Sequence, residues 1–437
     1  MSNDLSILIF PIGCLLSLIC IFVAQQALRK RRLIDDTPTS KTMGVFIGMT
    51  ELKGSAECEQ PVTSFLASDR CVHYAYDISE HWSRTVRESY TDSKGRRKTR
   101  TRRESGWKTV DSGGQTIPFY LKDDSGVLRI LPHGAKIEAK KIFSESCGRS
   151  DPLYYGKGPD FAVSDSDHRR RFVEWAIPLH HPLFIVGRAR EREDMAAAEI
   201  AHDEEAPLYL ISTRSEEDVS SGFGGRHIGF TLLGLVLIMA AWPWMLTVQN
   251  KEPLPVHFVS IAVGYFSISV MSWAWMVFNS LIRLRNRVRR AWSQIDVQLK
   301  RRADLIPGLI NVVKGMSAHE QETQKTIAEL RSQIHVTEPG EQGANPQALK
   351  QQLFALSESY PEIKSDSSFL KLQTNLIETE ERIALARSYY NEIVTFYNTR
   401  LEVVPDRFLA QMAGMKPHSL MEANAFERRA VQVDLSS

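Results

Sequence analysis

Two pairs of residues have the side chains that metal binding or nucleophilic catalysis needs. His180 and His181 are adjacent, and imidazole is a common ligand of zinc. Adjacent side chains in a strand point to opposite faces, so a metal ion shared by the two rings is disfavoured. Cys71 and His73 are two residues apart and share one strand face, as a thiol and its base require. The sequence offers no third group to orient such a dyad, so we predict no metal site and no catalytic site.

A third candidate motif, His319-Glu320, begins like the zinc-binding H-E-x-x-H sequence but lacks its second histidine. We interpret it as part of a solvated helix face. None of the five cysteines forms a C-x-x-C pair, which argues against a zinc ribbon or a redox dithiol. These cysteines are Cys14, Cys20, Cys58, Cys71 and Cys147. We predict no cofactor, since the sequence has no phosphate-binding loop and no G-x-G-x-x-G motif.

A group of basic side chains lies at the turn of a predicted hairpin. Its members are Lys94, Arg96, Arg97, Lys98, Arg100, Arg102 and Arg103. Such a group suits an exposed, solvated hairpin tip, a contact with anionic lipid, or a contact with an acidic protein or nucleic acid. Each basic residue near anionic lipid contributes about 1 kcal/mol to binding. The net charge of the whole chain is only +2, so we expect no nucleic-acid partner.

Three apolar runs are long enough to cross a membrane as helices, which takes about 20 residues. We predict transmembrane helices at residues 5–26, 228–248 and 256–282. A cleaved signal peptide is disfavoured, because residues 1–4 contain no basic residue and the basic group 29–32 follows the first run instead.

The basic residues beside the runs predict one orientation in the membrane. Five arginines follow the third run, namely Arg283, Arg285, Arg287, Arg289 and Arg290. Basic residues favour the cytoplasmic side, so we predict an outer N-terminus and two cytoplasmic domains in a bacterial inner membrane. We interpret the five arginines as anchors at the inner leaflet or as a contact surface for a partner.

The segment 35–222 is predicted to be a β-rich (α+β) domain, with an early strand at Thr42–Met49. Two hairpins are predicted, one joining Trp82–Tyr90 to Arg96–Val110 and one joining Ile117–Leu121 to Gly126–Ile130. The acidic stretch Met195–Glu205 is predicted to be an exposed loop or a short helix.

Residues 283–402 carry apolar positions three and four apart, which is typical of amphipathic helices with one buried seam. The first helix should continue out of the third span to about Ile334, with a kink at Pro307. A short helix at Gln347–Glu358 and a long helix at Ser367–Leu401 should follow. Two long amphipathic helices bury their seams against each other, which predicts an antiparallel bundle.

The C-terminal segment, about 279–437, contains an ordered series of distinctive passages. They are Asn279-Ser280-Leu281-Ile282-Arg283-Leu284, Ala291-Trp292-Ser293-Gln294-Ile295-Asp296, Asp304-Leu305-Ile306-Pro307, Glu378-Thr379-Glu380-Glu381-Arg382 and Tyr397-Asn398-Thr399-Arg400. In these passages the segment resembles the LemA family. The resemblance implies a membrane-anchored antiparallel helical bundle and little about biochemistry, because the family has no agreed activity. The pair Arg289-Arg290 departs from the acidic character that the family leads us to expect there.

Residues 45–225 lie between two predicted spans and contain four further distinctive passages. They are Gly48-Met49-Thr50-Glu51-Leu52-Lys53-Gly54, Cys71-Val72-His73-Tyr74-Ala75, Pro118-Phe119-Tyr120-Leu121-Lys122-Asp123 and Pro207-Leu208-Tyr209-Leu210-Ile211-Ser212. In these passages and in its position between two spans, the segment resembles the GIDE domain of mitochondrial RING ubiquitin ligases. A RING binds two zinc ions through closely paired cysteine and histidine residues. This chain has no such pairs, so ligase activity does not carry over.

The predicted fold class is a multi-domain membrane protein with three transmembrane helices, a β-rich cytoplasmic domain and a C-terminal antiparallel bundle of long helices. Residues 403–437 are predicted to be extended or disordered. The predicted function is a non-enzymatic scaffold or adaptor, whose partners are membrane lipids and either proteins or further copies of the chain, bound through the helical seams. The alternative is a membrane enzyme or a ubiquitin-ligase-like accessory factor. A transporter or channel subunit is disfavoured because the spans lack Asp, Glu, Lys and Arg.

Overall fold

The structure is a computed structural model that describes residues 9–91, 96–192, 197–204, 206–248, 252, 254–316 and 367–421. The chain forms two compact units. The helical unit contains Met1–Ser40 and Glu217–Ser437, and the β-rich unit contains Lys41–Glu216.

The helices and strands of the described residues are numbered in chain order. The helices are α1 (Ile9–Asp35), α2 (Pro152–Gly156), α3 (Glu216–Val248), α4 (Pro255–Met316), α5 (Ser367–Glu402) and α6 (Asp406–Met412), with a 3₁₀ turn at Thr42–Gly44. The strands are β1 (Thr39–Ser40), β2 (Gly48–Glu57), β3 (Val62–Thr63), β4 (Arg70–Thr91), β5 (Arg97–Thr116), β6 (Phe119–Lys122), β7 (Val127–Ile130), β8 (Lys136–Glu138), β9 (Lys140–Gly148), β10 (Ser166–Pro178), β11 (Pro182–Glu191), β12 (Ala198–Ala201) and β13 (Leu210–Ser212).

Three helices, α1, α3 and α4, are long and apolar enough to cross a membrane. Each exposes large apolar side chains, for example Phe22, Val236 and Met271, with 64, 62 and 75% of their surface exposed. Water disfavours so much contiguous apolar surface, whereas hydrocarbon accommodates it. Helix α1 extends to Asp35, beyond the predicted end of the first span, so the basic group 29–32 is helical.

The three long apolar helices approach one another closely. An added Cβ on Gly13 of α1 would lie 2.4 Å from the Cβ of Ala241 in α3, so only glycine fits at this position. The hydroxyl of Ser17 donates to the carbonyl of Gly234 in α3 at 3.0 Å. The hydroxyl of Tyr265 in α4 donates to a main-chain carbonyl of α3 at 2.7 Å. Small residues and inter-helix hydrogen bonds are typical of contacts between helices in lipid.

Helix α4 runs for 62 residues from its apolar part into a polar part. This confirms that the third apolar run continues into a long amphipathic helix, which also passes through Pro307. The Trp292 ring of α4 lies 6.0 Å from the Tyr390 ring of α5, and Arg302 Nη1 lies 3.6 Å from Glu380 Oε1. Residue numbers rise along one helix as they fall along the other, so the two helices run in opposite directions.

The apolar seam between α4 and α5 is buried, since its side chains are all less than 4% exposed. Its members are Leu284, Val288, Ile295, Leu299, Ile306, Phe369, Leu376, Ile383, Tyr390, Ile393 and Tyr397. We call α4 and α5 together the helical pair. The short helix predicted at Gln347–Glu358 and the motif His319-Glu320 lie outside the described residues.

The described part of the tail, residues 403–421, differs in one place from the prediction that residues 403–437 are extended or disordered. Helix α6 forms there, because Ala410 can be buried against Met276, Val277 and Leu281 of α4. Beyond α6 the described chain, to residue 421, is extended and lies along α5. The side-chain amide of Asn398 in α5 donates to the His418 carbonyl and accepts from the His418 N–H. The side-chain amide of Asn391 in α5 likewise donates to the Met421 carbonyl and accepts from the Met421 N–H.

The β-rich unit contains two sheets. In the larger sheet the hydrogen-bonded order includes β2-β6-β7-β12-β11, and β2 also pairs with β11, which closes a small barrel. Strands β13 and β8 continue from β11. The smaller sheet has the order β3-β4-β10-β9, with β5 also paired to β4. The interior of the barrel is filled by apolar side chains that include Leu52, Leu121, Ile130, Ile185 and Ile200.

Both predicted hairpins are confirmed, because β4 pairs with β5 and β6 pairs with β7. The prediction of a strand at Thr42–Met49 is wrong for its first residues, because Thr42–Gly44 form a 3₁₀ turn. The carboxylate of Asp123 holds this turn by accepting the Thr42 N–H at 2.8 Å. The stretch Met195–Glu205, predicted as a loop or short helix, contains strand β12, because Ile200 completes the barrel core.

Candidate functional site

Strands β4 and β5 form a two-stranded projection that carries most of the predicted basic group. Strand β10 pairs with β4 only as far as Trp82, whereas β5 stays paired with β4 out to Thr91. Residues 83–91 and their partners on β5 therefore extend beyond the sheet by about 30 Å, at about 3.3 Å per residue. We call this projection the basic ribbon.

The two faces of the basic ribbon differ, since residues paired across the strands share a face and successive residues alternate. One face has the pairs Lys98 with Tyr90, Arg100 with Glu88, Arg102 with Val86, and Glu104 with Arg84. We call it the aromatic face, because Tyr90 is 49% exposed beside its basic neighbours. The opposite, polar face has the pairs Arg97 with Thr91, Thr101 with Arg87, and Arg103 with Thr85.

The described members of the predicted basic group are all exposed. Five of them lie on β5 and Arg96 lies just before it, whereas Lys94 is outside the described residues. Arg103 donates to the hydroxyl of Ser83 at 2.7 Å, and Arg84 pairs with Glu104 at 2.9 Å. The ribbon therefore presents basic side chains on both faces, with the aromatic ring of Tyr90 on one.

The base of the ribbon is braced by a buried ion pair between Glu80 of β4 and Arg170 of β10. Both side chains are fully buried, and Arg170 Nη2 lies 3.2 Å from Glu80 Oε2. Arg170 also donates to the carbonyls of Tyr154, Pro159 and Phe161 at 2.6–2.7 Å. All five of its N–H donors are thus used, and they join α2 and the segment after it to the sheet.

The pKa of Glu80 reflects the hydrogen bonds that this buried carboxylate accepts. Burial raises the pKa, but hydrogen bonds from Ser166, Tyr154 and Arg170 outweigh burial, so the net pKa is lowered. The hydroxyl of Tyr154 donates to Glu80 Oε1 at 2.7 Å, and its ring lies 3.9 Å from the Arg170 guanidinium carbon. Glu80 therefore stays ionised and holds the ribbon base rigid.

The arginines predicted after the third span occupy two environments on α4. Arg289 and Arg290 are exposed, whereas Arg283, Arg285 and Arg287 are half-buried. Contact of the exposed pair with lipid or a partner stays a prediction. Arg287 has a structural role, because its Nη1 donates to the Asp36 carbonyl at 3.1 Å and to a threonine hydroxyl at 2.6 Å.

Arg287 belongs to a cluster that joins the end of α1 to α4, α5 and α6, which we call the charged junction. The other members are Arg32, Asp36, Arg400 and Asp406. Arg32 binds Asp406 in a two-bond arrangement at 2.7 and 2.8 Å, and Arg400 Nε lies 2.7 Å from Asp36 Oδ1. Burial raises the pKa of Asp36, while the surrounding arginines oppose this rise. Two-bond arginine–carboxylate pairs are strong and directional, so the junction fixes the first helix to the helical pair.

We expect the substitution Asp406→Asn to loosen the tail while the rest of the fold remains intact. The variant removes the charge that Arg32 pairs with, and hydrogen bonds to charged groups contribute about 1.5–3 kcal/mol. Trypsin cleavage after Arg407, which requires local opening, will then be about 10- to 100-fold faster. The exposed neighbour Glu402→Gln is the matched control, and equal acceleration by both variants would contradict a role for the junction.

The candidate thiol and imidazole of β4 have structural partners. The Cys71 thiol donates to the Val62 carbonyl at 3.6 Å, and burial raises the pKa of this thiol to about 11. The thiol is therefore neutral at pH 7, whereas nucleophilic cysteines are thiolates. His73 Nδ1 lies 2.7 Å from the Thr116 hydroxyl, and burial lowers the pKa of His73.

The adjacent histidines lie in the turn between β10 and β11, so the assumption that they occupy a strand is wrong. His180 has a φ of 61° and lies 2.8 Å from a carboxylate oxygen of Glu57. His181 Nδ1 lies 2.8 Å from the Pro182 carbonyl oxygen. Within the part of the chain that the structure describes, no three His, Cys, Asp or Glu side chains are grouped so that they hold a metal ion.

Two family models match separate parts of the chain. The model of the LemA family matches residues 291–435, which include the polar part of α4, α5 and α6. The model of the GIDE family, described as E3 ubiquitin ligase, matches residues 87–246, from the basic ribbon through most of α3. The C-terminal part is therefore LemA-like and the N-terminal part GIDE-like, while the paired cysteines of a RING are missing from the sequence.

Individual relatives agree with the LemA match. Protein LemA of Metamycoplasma hominis is 25% identical over 195 residues, which cover 43% of this chain and 88% of that protein. Magnetosome protein MamQ 2 of Paramagnetospirillum magneticum is 23% identical over 194 residues, covering 37% of this chain and 71% of that protein. Magnetosome protein MamQ of Magnetospirillum gryphiswaldense is 21% identical over 173 residues, covering 32% of this chain and 63% of that protein.

Proposed function

We propose that this LemA-like chain is a non-enzymatic scaffold at the cytoplasmic face of a bacterial inner membrane. Helices α1, α3 and α4 cross the membrane with the N-terminus outside, as the flanking basic residues favour. The β-rich unit and the helical pair then lie in the cytoplasm. There the pair is part of an antiparallel bundle that assembles copies of the chain or recruits proteins.

One observation carries this proposal, namely that α4 is a single helix from its apolar part to its polar part. A continuous helix fixes the distance and direction between the bilayer and the helical pair. The charged junction adds a second attachment at the end of α1. A protein that must hold partners at a set distance from a membrane needs such a rigid connection, whereas catalysis does not require it.

The helical pair also contains buried polar atoms that need a further partner. Oε1 of Gln298 is buried without a hydrogen-bond partner among the described residues, and the buried carboxylate of Glu380 has only the Arg302 ion pair at 3.6 Å, beyond hydrogen-bond distance. Burial raises the pKa of Glu380, although Arg302 opposes the rise. Buried polar atoms are normally hydrogen-bonded, so another polar element packs against the pair. A larger bundle, within one chain or between copies, supplies that element.

We expect the full-length protein in mild detergent to be a homo-oligomer or to hold a partner protein in a fixed ratio. Native mass spectrometry measures the mass, and the substitution Ile295→Asp, which places a charge in the buried seam between α4 and α5, will separate these two helices and thereby reduce the complex to single chains. Exposed Ser293→Asp on the same helix is the matched control and will leave the mass unchanged. A wild-type protein that is monomeric and without a partner would contradict the scaffold proposal.

The ligase-like accessory role has less support. Its most plausible reactive group, Cys71, is a neutral buried thiol, and its neighbour His73 is bonded to Thr116. The GIDE-like part also begins within the basic ribbon, a surface suited to binding rather than to covalent chemistry. We therefore assign the β-rich unit a contact role within the scaffold.

A further inference from the structure

The short helix α6 has an apolar side that the protein leaves uncovered. Its inner side is buried, since Asp406 and Ala410 are 1 and 2% exposed. Phe408 and Met412, four residues apart and thus on one side of the helix, are 59 and 85% exposed. Val404, just before the helix, is 62% exposed.

The remaining side of α6 is exposed and polar. It carries Arg407 and Gln411, which are also four residues apart. Lys416, shortly after the helix, is exposed as well. The exposed surface of α6 is therefore divided between an apolar side and a basic, polar side, which is the pattern of helices that lie in a membrane interface.

The position of α6 along α4 sets the depth of its apolar side. Ala410 packs in one cluster with Met276, Val277 and Leu281, and Trp273 and Leu28 border this cluster. The apolar run that we predict to span the membrane ends at residue 282, so Val277 lies about 8 Å inside that end at 1.5 Å per residue. The apolar side of α6 is thus level with the last turns of the apolar run rather than with the polar part of α4.

The charges around α6 fit the same position. Asp406, which would be costly to place at an apolar boundary, is paired with Arg32 at the cytoplasmic end of α1. Arg407 and Lys416 have long apolar stems, whose charged ends can reach anionic headgroups. At this depth, contact of the Phe408 and Met412 side chains with water is unfavourable, whereas their contact with acyl chains is favourable.

We propose that α6 is an interfacial membrane anchor, whose Phe408–Met412 side is covered by lipid of the leaflet that α1 and α4 enter. The inference rests on the proposed function in one respect, namely that α4 crosses the membrane. It adds an attachment to the bilayer beside the three spans. Through the charged junction, it also makes the tail a link between lipid and the helical pair.

Photo-crosslinking in proteoliposomes of phosphatidylethanolamine and phosphatidylglycerol tests this placement. The full-length protein carries p-benzoylphenylalanine at Met412, at the neighbouring Gln411 as matched control, or at Phe266, which is 69% exposed on the apolar part of α4. After irradiation, mass spectrometry measures lipid adducts on each labelled peptide. We expect Met412 and Phe266 to form lipid adducts about tenfold more often than Gln411.

The other possible outcomes distinguish a failure of the α6 anchor from a failure of the membrane insertion of α4. Lipid adducts at Phe266 with none at Met412, or equal adducts at Met412 and Gln411, would overturn the anchor and leave the spans intact. Chain-to-chain adducts at Met412 would show that a second copy covers this side, which also overturns the anchor. An absence of lipid adducts at Phe266 would overturn the membrane insertion on which the proposed function depends, and the anchor with it.

Discussion

Replacing Arg170 with alanine will lower the free energy of unfolding of the β-rich unit by about 3–5 kcal/mol, because it leaves the buried carboxylate of Glu80 without its counter-charge. Three main-chain carbonyls lose their donor in the same step. Urea unfolding of the segment Lys41–Glu216, followed by circular dichroism, measures the loss. The variant is expected to lose a large fraction of its stability, since small domains have only about 5–15 kcal/mol in total.

Arg171 is a matched control for this prediction, since it follows Arg170 on the same strand. Its side chain is exposed and lies 4.9 Å from the Trp107 ring. The substitution Arg171→Ala should cost less than about 1 kcal/mol. Similar losses for the two variants would show that Arg170 is held no more tightly than a surface residue.

The same ion pair gives the β-rich unit a defined pH dependence. The folded pKa of Glu80 lies below its ordinary value of 4.5, so the unfolded chain binds a proton more readily than the folded chain. The pair's stabilisation is therefore complete above the unfolded pKa and is lost as the pH falls through the folded pKa. The measured loss for Arg170→Ala will accordingly be larger at pH 7 than below pH 4.5.

Neutralising the aromatic face of the basic ribbon with Lys98→Gln, Arg100→Gln and Arg102→Gln will weaken binding of the segment Lys41–Glu216 to anionic vesicles about 100-fold. Each basic residue near anionic lipid contributes about 1 kcal/mol, and about 1.4 kcal/mol changes an equilibrium tenfold. Tyr90 lies on this face, and aromatic rings favour the membrane interface. Co-sedimentation with phosphatidylglycerol vesicles measures the binding.

The polar face provides a control with the same change in charge. Arg87→Gln, Arg97→Gln and Arg103→Gln also remove three positive charges, but from side chains that face away from a bilayer contacted by the aromatic face. We expect this variant to lose less than about tenfold in binding. Equal losses would indicate non-specific attraction, and unchanged binding by both variants would show that the ribbon is only a solvated hairpin.

Features that depend on neighbouring residues were predictable from the sequence. The apolar runs, the hairpin of β4 and β5, and helix α5 follow from local periodicity and turn residues, because these patterns repeat every two or every three to four positions. Helix α5 begins at Ser367 and ends at Glu402, close to the predicted Ser367–Leu401. The exposed position of the described basic residues beside the hairpin turn has the same local origin.

Features that depend on distant residues were not predictable. Arg32 and Asp406 are 374 positions apart, and Glu80 and Arg170 are 90 apart, so no periodicity connects them. Strand β12 lies in an acidic stretch, and only the barrel that receives Ile200 makes it a strand. Helix α6 likewise depends on the surface of α4. The position of Asp36 shortly after the basic group 29–32 is a local hint that charged side chains cluster there. No local pattern, however, identifies the distant residues that pair with them.

The unbroken course of α4 also makes it a lever. Its part beyond residue 282 is about 50 Å long at 1.5 Å per residue. Transmembrane helices change their tilt when the bilayer becomes thinner or thicker, and a tilt of about 10° would displace the far end of this lever sideways by about 9 Å. If α4 crosses the membrane as proposed, a small change in lipid thickness is thereby converted into a large movement at residues 300–316. Under the same proposal, whatever α4 holds at that end changes position with the thickness of the bilayer.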